Sequence, residues 1–535
     1  MIFYKKPALL SIISGVLLTL SWPVDGLSFI IFFSLIPLFF VEHQITNGNS
    51  KRKKLKLFAL SYLGFLVWNI GTTWWIVNSS VFGMVFAILC NTSFYAILIT
   101  LFHWSKKRLP LRTAYIFLVT LWITFEKFHL KWDFSWPWLN LGNVFSENIR
   151  WIQWYEFTGS FGGTLWVLLI NIGLFEVFKN HPPSLKNSLW VKKMGPWLVG
   201  IAVPIAISLM LYQSEKDPIP STEVLLLQPN IDPYNEKYDN KNNYYFDLMA
   251  DMTADQITDE THYIFTPETY FSAGFGAALK EFKTTPLYRK IDSLLEKNRD
   301  IQLISGIQSY SVYKTNKAPT LTANFIRDGV WVDFYNSALK MEHQQEPEFY
   351  HKSKLVVGVE NMPYKNFLRP LLGDFLLDLG GTVSSRGIQQ NRSVFEHKKI
   401  KLKTGPIICY ESIYGEFVTE YVRKGAHFLA IITNDAWWGN TPGHKQLLSY
   451  ARLRAIENRR NVVRSANTGI SAIINSKGEI TNKLPYEGKG VLRGKFTPEV
   501  RITFYTQYGD YIARWSGFIS ALFFLIAISG RLKKN

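Results

Sequence analysis

Cysteine is nearly absent: the 535-residue chain has two, Cys90 and Cys409. Two thiols build no disulfide framework, and they leave the redox compartment unreadable. Acidic residues are also scarce, 41 against 59 Lys and Arg, which gives a formal net charge of +18. Such an excess raises nucleic acid as a partner, but its distribution argues otherwise. Much of it lies in short runs between apolar stretches, as in Lys51-Arg52-Lys53-Lys54-Leu55-Lys56 and Lys106-Lys107-Arg108. That pattern is one of membrane topology. No nucleic-acid partner, cofactor or metal is expected.

What the chain has in abundance is apolar and aromatic residues. Hydrophobic content of 47% and a mean hydropathy of +0.02 accompany 19% charged residues, so a membrane part joined to a water-soluble part is expected. The 18 Trp and 39 Phe fit the same division, since aromatics gather at bilayer interfaces. Seven apolar stretches precede residue 215, near 7–22, 26–41, 57–78, 81–104, 113–127, 160–178 and 196–213; an eighth covers about 512–530. Several approach the ~20 residues that cross a ~30 Å hydrocarbon core. The first, behind Lys5 and Lys6, lacks a small-residue cleavage site and reads as an uncleaved anchor. The expected organisation is a bundle over 1–215, an α/β domain over 220–500, and an eighth span with a basic tail over 510–535. With eight spans, Lys5/Lys6, residues 51–56 and 105–112, Lys179 to Lys193 and Arg531 to Lys534 fall on one side. Lys and Arg concentrate on cytoplasmic loops, so residues 220–500 are expected to face away from the cytoplasm.

Within 220–500, short strand-like runs such as Val224-Leu225-Leu226-Leu227 and Phe428-Leu429-Ala430-Ile431-Ile432 alternate with polar helical segments. Asn475-Ser476-Lys477-Gly478-Glu479 reads as a hairpin turn between Ile473-Ile474 and Ile480. Cys409 ends one apolar run, Gly405-Pro406-Ile407-Ile408, just before the polar turn Tyr410-Glu411-Ser412. A thiol on a rigid strand end opening into a loop is placed as a nucleophile requires. A small buried hydrophobe is the bland alternative for Cys409, and the expected state of Cys90 inside the fourth span. Two segments favour the nucleophile: Phe265-Thr266-Pro267-Glu268 and Tyr350-His351-Lys352-Ser353. Taken singly, Glu268 reads as a strand-end carboxylate and Lys352 as a surface lysine. Together with Cys409, Glu268 supplies a base and Lys352 a positive charge where an oxyanion develops, with the backbone N–H of Tyr410 adding to it.

Glu, Lys and Cys in this order and spacing resemble the nitrilase, or carbon–nitrogen hydrolase, superfamily. Further segments resemble one branch of it, the bacterial apolipoprotein N-acyltransferases, over essentially the whole chain. They are Leu227-Gln228-Pro229-Asn230-Ile231, Tyr335-Asn336-Ser337-Ala338, Cys409 to Glu416, Thr433-Asn434-Asp435-Ala436-Trp437-Trp438-Gly439, Arg452 to Asn458, Arg464 to Gly469, and Trp136 to Asn143. The resemblance implies an αββα nitrilase-like sandwich carried on a membrane α-helical bundle of about eight transmembrane helices. It implies a ping-pong transfer of an acyl chain from a phospholipid, through a thioester on Cys409, to the amine of a diacylglyceryl-apolipoprotein. It also implies a bacterial inner membrane, with the catalytic domain facing the periplasm.

By matching position, the resemblance makes Glu268 the base, Lys352 the oxyanion stabiliser and Cys409 the nucleophile, supported by Glu360, Tyr410 and Glu411. Two departures stand out. The family's Pro-Phe-Gly-Glu is here Val357-Gly358-Val359-Glu360, and a tryptophan after the Gln-x-Asn segment is replaced by Tyr238, a candidate substrate contact. Phe375 and Leu376, in the apolar cluster Phe367 to Leu377, are candidates for a mobile lid, with a core helix as the alternative. Arg, Glu and Asn of 452–458 are expected to fix helix packing. The competing function is a membrane-anchored amidase acting on a small soluble substrate; a transporter or receptor that only binds ligand would need no such triad.

Overall fold

A computed structural model describes residues 6–49, 51–181, 188–214, 221–233, 236–237, 241–361, 363–364 and 386–530. The chain divides into two units, Met1–Glu215 with Tyr508–Asn535, and Lys216–Gln507.

The first unit is helical. Among the described residues, six helices are long and apolar enough to cross a membrane: Ser28–Asn47, Lys53–Asn78, Val81–Lys106, Ser160–Asn180, Trp190–Ser214 and Tyr511–Ser529. The other two expected spans do not meet that standard. Pro7–Ser21 has 15 residues, which at ~1.5 Å per residue is shorter than the ~30 Å core. Leu111–His129 is long enough but carries Arg112, Glu126 and Lys127. The second span also differs from the unbroken stretch near 26–41. It runs to Asn47 and breaks between Ile31–Ser34 and Ile36–Asn47, where Pro37 lies in the first turn of the new helix. Backbone groups freed by the break are satisfied from far away in sequence: Asn171 accepts from the Leu35 N–H at 2.9 Å and donates to the Ile31 carbonyl at 2.8 Å. In an apolar surrounding such groups must find protein partners.

The Trp-rich loop after Leu111–His129 is packed into this unit. Trp138 is buried with its ring 4.8 Å from that of Trp75. Glu126 anchors the loop by accepting from the Leu141 N–H (2.8 Å), the Trp122 indole (3.1 Å) and the Thr164 hydroxyl (2.8 Å). Three neutral donors thus compensate a buried carboxyl group.

The second unit contains two sheets. One has eight strands, in the order Gly490–Phe496, Thr222–Gln228, Thr261–Phe265, Gln302–Lys314, Val330–Met341 and Asn324–Arg327, with Ala277–Ala278 and Glu348–His351 paired off this path. The other has six, in the order Ile480–Lys483, Ala472–Ile474, Val462–Ala466, Phe428–Thr433, Lys403–Ile408 and Phe395–Glu396. The expected hairpin around Asn475 to Glu479 joins Ala472–Ile474 to Ile480–Lys483.

Thr222–Gln228 is buried along its whole length because both its faces are covered. Leu225 and Leu227 join a core with Tyr245 and Met249 of helix Asn242–Thr253 and with Ile291 and Leu295 of helix Pro286–Lys297. On the other face the two sheets meet. Phe428 lies 5.2 Å from Tyr263 and 4.4 Å from Phe496, and the Ser465 hydroxyl donates to the Leu227 carbonyl at 2.8 Å. Helices Gly415–Arg423 and Pro442–Asn458 belong to the second sheet's half, which completes the αββα layering. Thr222–Gln228, Thr261–Phe265 and the start of Gln302–Lys314 run parallel, as do Lys403–Ile408, Phe428–Thr433 and Val462–Ala466. Parallel strands end together, so the loops after them converge at one edge of the sandwich.

Candidate active site

Glu268, Lys352 and Cys409 each follow a strand of this sandwich. Glu268 lies three residues beyond Thr261–Phe265, and the turn that carries it presses against Gly306. A Cβ on Gly306 would sit 2.1 Å from the Pro267 carbonyl oxygen, so only glycine admits this approach. Lys352 follows Glu348–His351, its backbone N–H donating to the Asn336 carbonyl at 2.8 Å. Cys409 follows Lys403–Ile408 with φ of 50°, a left-handed conformation that costs a non-glycine residue roughly 1–2 kcal/mol. Strained turns of this kind aim a nucleophile out of the sheet end.

Ion pairing and hydrogen bonding gather these groups. The Lys352 Nζ lies 2.8 Å from Glu268 Oε1 and 2.9 Å from Glu360 Oε2; Lys352 and Glu268 are buried and Glu360 is partly exposed. Asn336 Nδ2 donates to both carboxylates, at 2.7 Å to Glu268 and 3.0 Å to Glu360. The Asn434 N–H reaches the other Glu268 oxygen at 3.2 Å, and the Val356 N–H holds Glu360 at 2.9 Å. Glu360 therefore reaches the lysine despite the altered segment before it.

Glu411 fastens the nucleophile's turn to the lysine's segment. One of its oxygens accepts from the Ile408 N–H (2.8 Å), just before Cys409. The other accepts from the Ser353 N–H and the Tyr350 hydroxyl, both at 2.7 Å, on either side of Lys352. Tyr410 is buried with its ring 5.4 Å from that of Tyr414. Tyr238, Phe375 and Leu376, with the rest of Phe367 to Leu377, lie outside the described residues. Arg454 and Glu457 form a buried 2.7 Å ion pair, and Asn458 donates to the Arg454 carbonyl at 3.0 Å; these are packing contacts within helix Pro442–Asn458.

Burial opposes charge on Lys352, but the adjoining Glu268 and Glu360 outweigh it and raise the ammonium's pKa above its ordinary value. Burial likewise works against Glu360 ionisation, yet Lys352 and Arg386 hold its carboxyl below the usual carboxylate range. For Cys409 the balance goes the other way. Burial pushes the thiol up, the Glu268 charge adds to that, and Lys352 opposes both without reversing them. Cys409 therefore rests as a thiol, and any attack by its sulfur would require the proton to leave. Among the described residues, no cluster of three or more His, Cys, Asp or Glu is arranged to hold a metal.

Residues 14–173 match the family model described as apolipoprotein N-acyltransferase N-terminal domain, and residues 241–503 match carbon-nitrogen hydrolase. Full-length relatives agree. An apolipoprotein N-acyltransferase from Chlorobaculum tepidum is 28% identical over 522 residues, 95% of this chain and 94% of the relative. One from Geobacter metallireducens is 26% identical over 95% of this chain and 93% of its own length. The chain is similar to apolipoprotein N-acyltransferases along nearly its whole length. Among solved structures, an amidase from Nesterenkonia sp. is similar with a TM-score of 0.35 and 16% identity, over 55% of this chain and 96% of that one.

Asn336, Asn434, Asn467 and Lys237 also belong to this constellation, although no role is assigned to them from sequence. The first three lie in segments that resemble the family, which was the available signal; Lys237 precedes Tyr238 and had none. Because the thiol's pKa is raised, alkylation of Cys409 by iodoacetamide in a Cys90→Ser background should climb with pH through neutrality, with no plateau up to about pH 9. A plateau below neutrality would reveal a resting thiolate and contradict the charge balance described above.

Proposed function

We propose that this protein is an apolipoprotein N-acyltransferase, moving a fatty acyl chain from a membrane phospholipid to the N-terminal amine of a diacylglyceryl-cysteine lipoprotein. In this reading Glu268 takes the Cys409 proton as sulfur attacks the phospholipid ester carbonyl. Lys352 and the Tyr410 N–H stabilise the oxyanion. The ester C–O bond breaks, the proton passes to the departing lyso-phospholipid oxygen, and an acyl thioester remains on Cys409. The amine then attacks this thioester, giving the N-acyl product and free Cys409.

The observation that carries the proposal is the union of the Glu268–Lys352 cluster beside Cys409 with, among the described residues, six helices of membrane-crossing length and apolarity. An amidase working on a small soluble compound needs one anchor at most. Purified protein in detergent micelles, given phospholipid and a synthetic diacylglyceryl-cysteine peptide, should yield N-acylated peptide and lyso-phospholipid. Cys409→Ser should retain less than about 1% of this activity, because a serine hydroxyl is a far weaker nucleophile without its own base. Hydrolysis of small amides with no peptide acylation would replace this reading with the amidase.

The alternation of basic loops supports a bacterial inner-membrane location with the Lys216–Gln507 unit in the periplasm. A reporter that works only outside the cytoplasm should be active when fused after residue 216 and silent after residue 50. Reversed signals would place the Cys409 site in the cytoplasm and exclude lipoprotein as its substrate.

A further inference from the structure

The second half-reaction has a proton problem that Glu268 does not solve alone. The acceptor's α-amine, with an ordinary pKa near ~8, arrives largely as an ammonium at neutral pH, and an ammonium cannot attack a thioester. Two protons must leave that nitrogen before the amide is complete. Glu268 is already held by three donors, Lys352, Asn336 and the Asn434 N–H, and it must also return one proton to the sulfur.

Lys237 stands beside this cluster. Its side chain is buried, with only 4% of the residue exposed, and its Nζ lies 3.4 Å from the Glu268 carbonyl oxygen. It lines a small cavity of about 10 Å³ with Pro267, Glu268, Thr269, Tyr270 and Asn467. Its backbone is fixed from three directions. The Tyr245 hydroxyl (2.7 Å) and the Ser272 hydroxyl (3.1 Å) donate to its carbonyl, and its own N–H donates to the Asp232 carbonyl (3.1 Å). Asn467 ties the start of the same loop to the site: it accepts from the Ile231 N–H at 2.9 Å and donates to Asn434 at 3.2 Å.

We propose that Lys237 is a second base of the site, whose neutral ε-amine takes the first proton from the acceptor's α-ammonium before aminolysis. The inference rests on the acyl-transfer reading above. In atoms, an N–H proton of the α-ammonium moves to Lys237 Nζ, which becomes an ammonium. The freed amine forms the C–N bond as the C–S bond breaks. Its second proton passes through Glu268 to the Cys409 sulfur, and Lys237 releases its proton to water.

Charge balance eases the loss of a proton from Lys237, so that part of it is the free amine near neutral pH. The Glu268 and Glu360 carboxylates are already matched by Lys352 and Arg386, so a further cation would repel a cationic acceptor. Burial lowers the Lys237 pKa to about 8; Glu268 and Cys409 raise it, while Arg386 and Lys352 lower it further. The nearby Tyr270 phenol is held above its ordinary range by burial and stays neutral. An amine base near 8 is matched to an α-ammonium near ~8, so the transfer is close to thermoneutral.

The test separates the half-reactions in the full-length protein. Lys237→Met should still accumulate acyl-enzyme from phospholipid. Its aminolysis by a diacylglyceryl-cysteine peptide near neutral pH should fall about tenfold, because roughly a tenth of an amine with pKa near ~8 is already free there. The deficit should shrink toward about pH 9, where the acceptor loses its proton unaided. Hydroxylamine, already neutral at neutral pH, should discharge wild-type and variant acyl-enzymes at equal rates. Lys237→Arg, charged but unable to accept a proton, should behave like Lys237→Met. Lys237→Gln, which keeps a polar tip for the Glu268 carbonyl, serves if the Met variant does not fold. Restoration by Arg, a pH-independent deficit, or an equal loss with hydroxylamine would overturn the proposal. Acyl-enzyme absent from the wild type itself would instead overturn the parent reading.

Discussion

Lys352 between Glu268 and Glu360 is the interaction on which the site depends. A lysine this deeply buried is tolerated only because two carboxylates compensate it, and the carboxylates are tolerated only because Asn336, Asn434 and Val356 satisfy their remaining lone pairs. Removing one partner from such a group costs roughly 3–5 kcal/mol through the charge left behind. The cluster also joins strands distant in sequence: Glu268 follows one, Asn336 lies within a second, Lys352 follows a third and Asn434 follows a strand of the other sheet. Catalytic geometry and sheet-to-sheet register are therefore one constraint. Glu411 extends it to the nucleophile, because its two oxygens hold the turn before Cys409 and the segment around Lys352 at once.

The electrostatics of the cluster leave Cys409 protonated at rest. In the proposed reaction, a nucleophile kept as a thiol is protected from adventitious reaction until substrate arrives, and Glu268 takes the proton. The same dense hydrogen bonding that orders Glu268 limits how many protons it handles in a turnover. A neighbouring buried amine, Lys237, fits the gap in that accounting.

Much of this was legible in the chain, for local reasons. Val224 to Leu227 and Phe428 to Ile432 are short apolar runs between polar segments, and burial on both faces makes them strands. Glu268 and Cys409 could be found because each follows such a run, and Lys352 by its order and spacing between them, which resemble the nitrilase superfamily. The break after Ser34 carried one local sign, Pro37, which the apolar run around it masked; the partner that satisfies it, Asn171, is 140 residues from Ile31. Leu111–His129 was judged by its apolar residues, whereas Glu126 has a buried task in holding the loop at Leu141. Asn434 and Asn467 escaped notice because asparagine in a turn is ordinary; only the convergence of strand ends shows that one touches Glu268 and the other holds the loop of Lys237.

The central claim is that Cys409, served by Glu268 and Lys352, becomes acylated by phospholipid before any acceptor binds. Intact-protein mass spectrometry of the purified enzyme, incubated with phospholipid of one acyl composition and no acceptor, tests it most directly. The account predicts one added acyl mass that maps to Cys409, is lost on hydroxylamine treatment and is absent from Glu268→Gln. An unmodified enzyme that nevertheless transfers acyl chains once acceptor is added, or an acyl group mapped elsewhere, would contradict it.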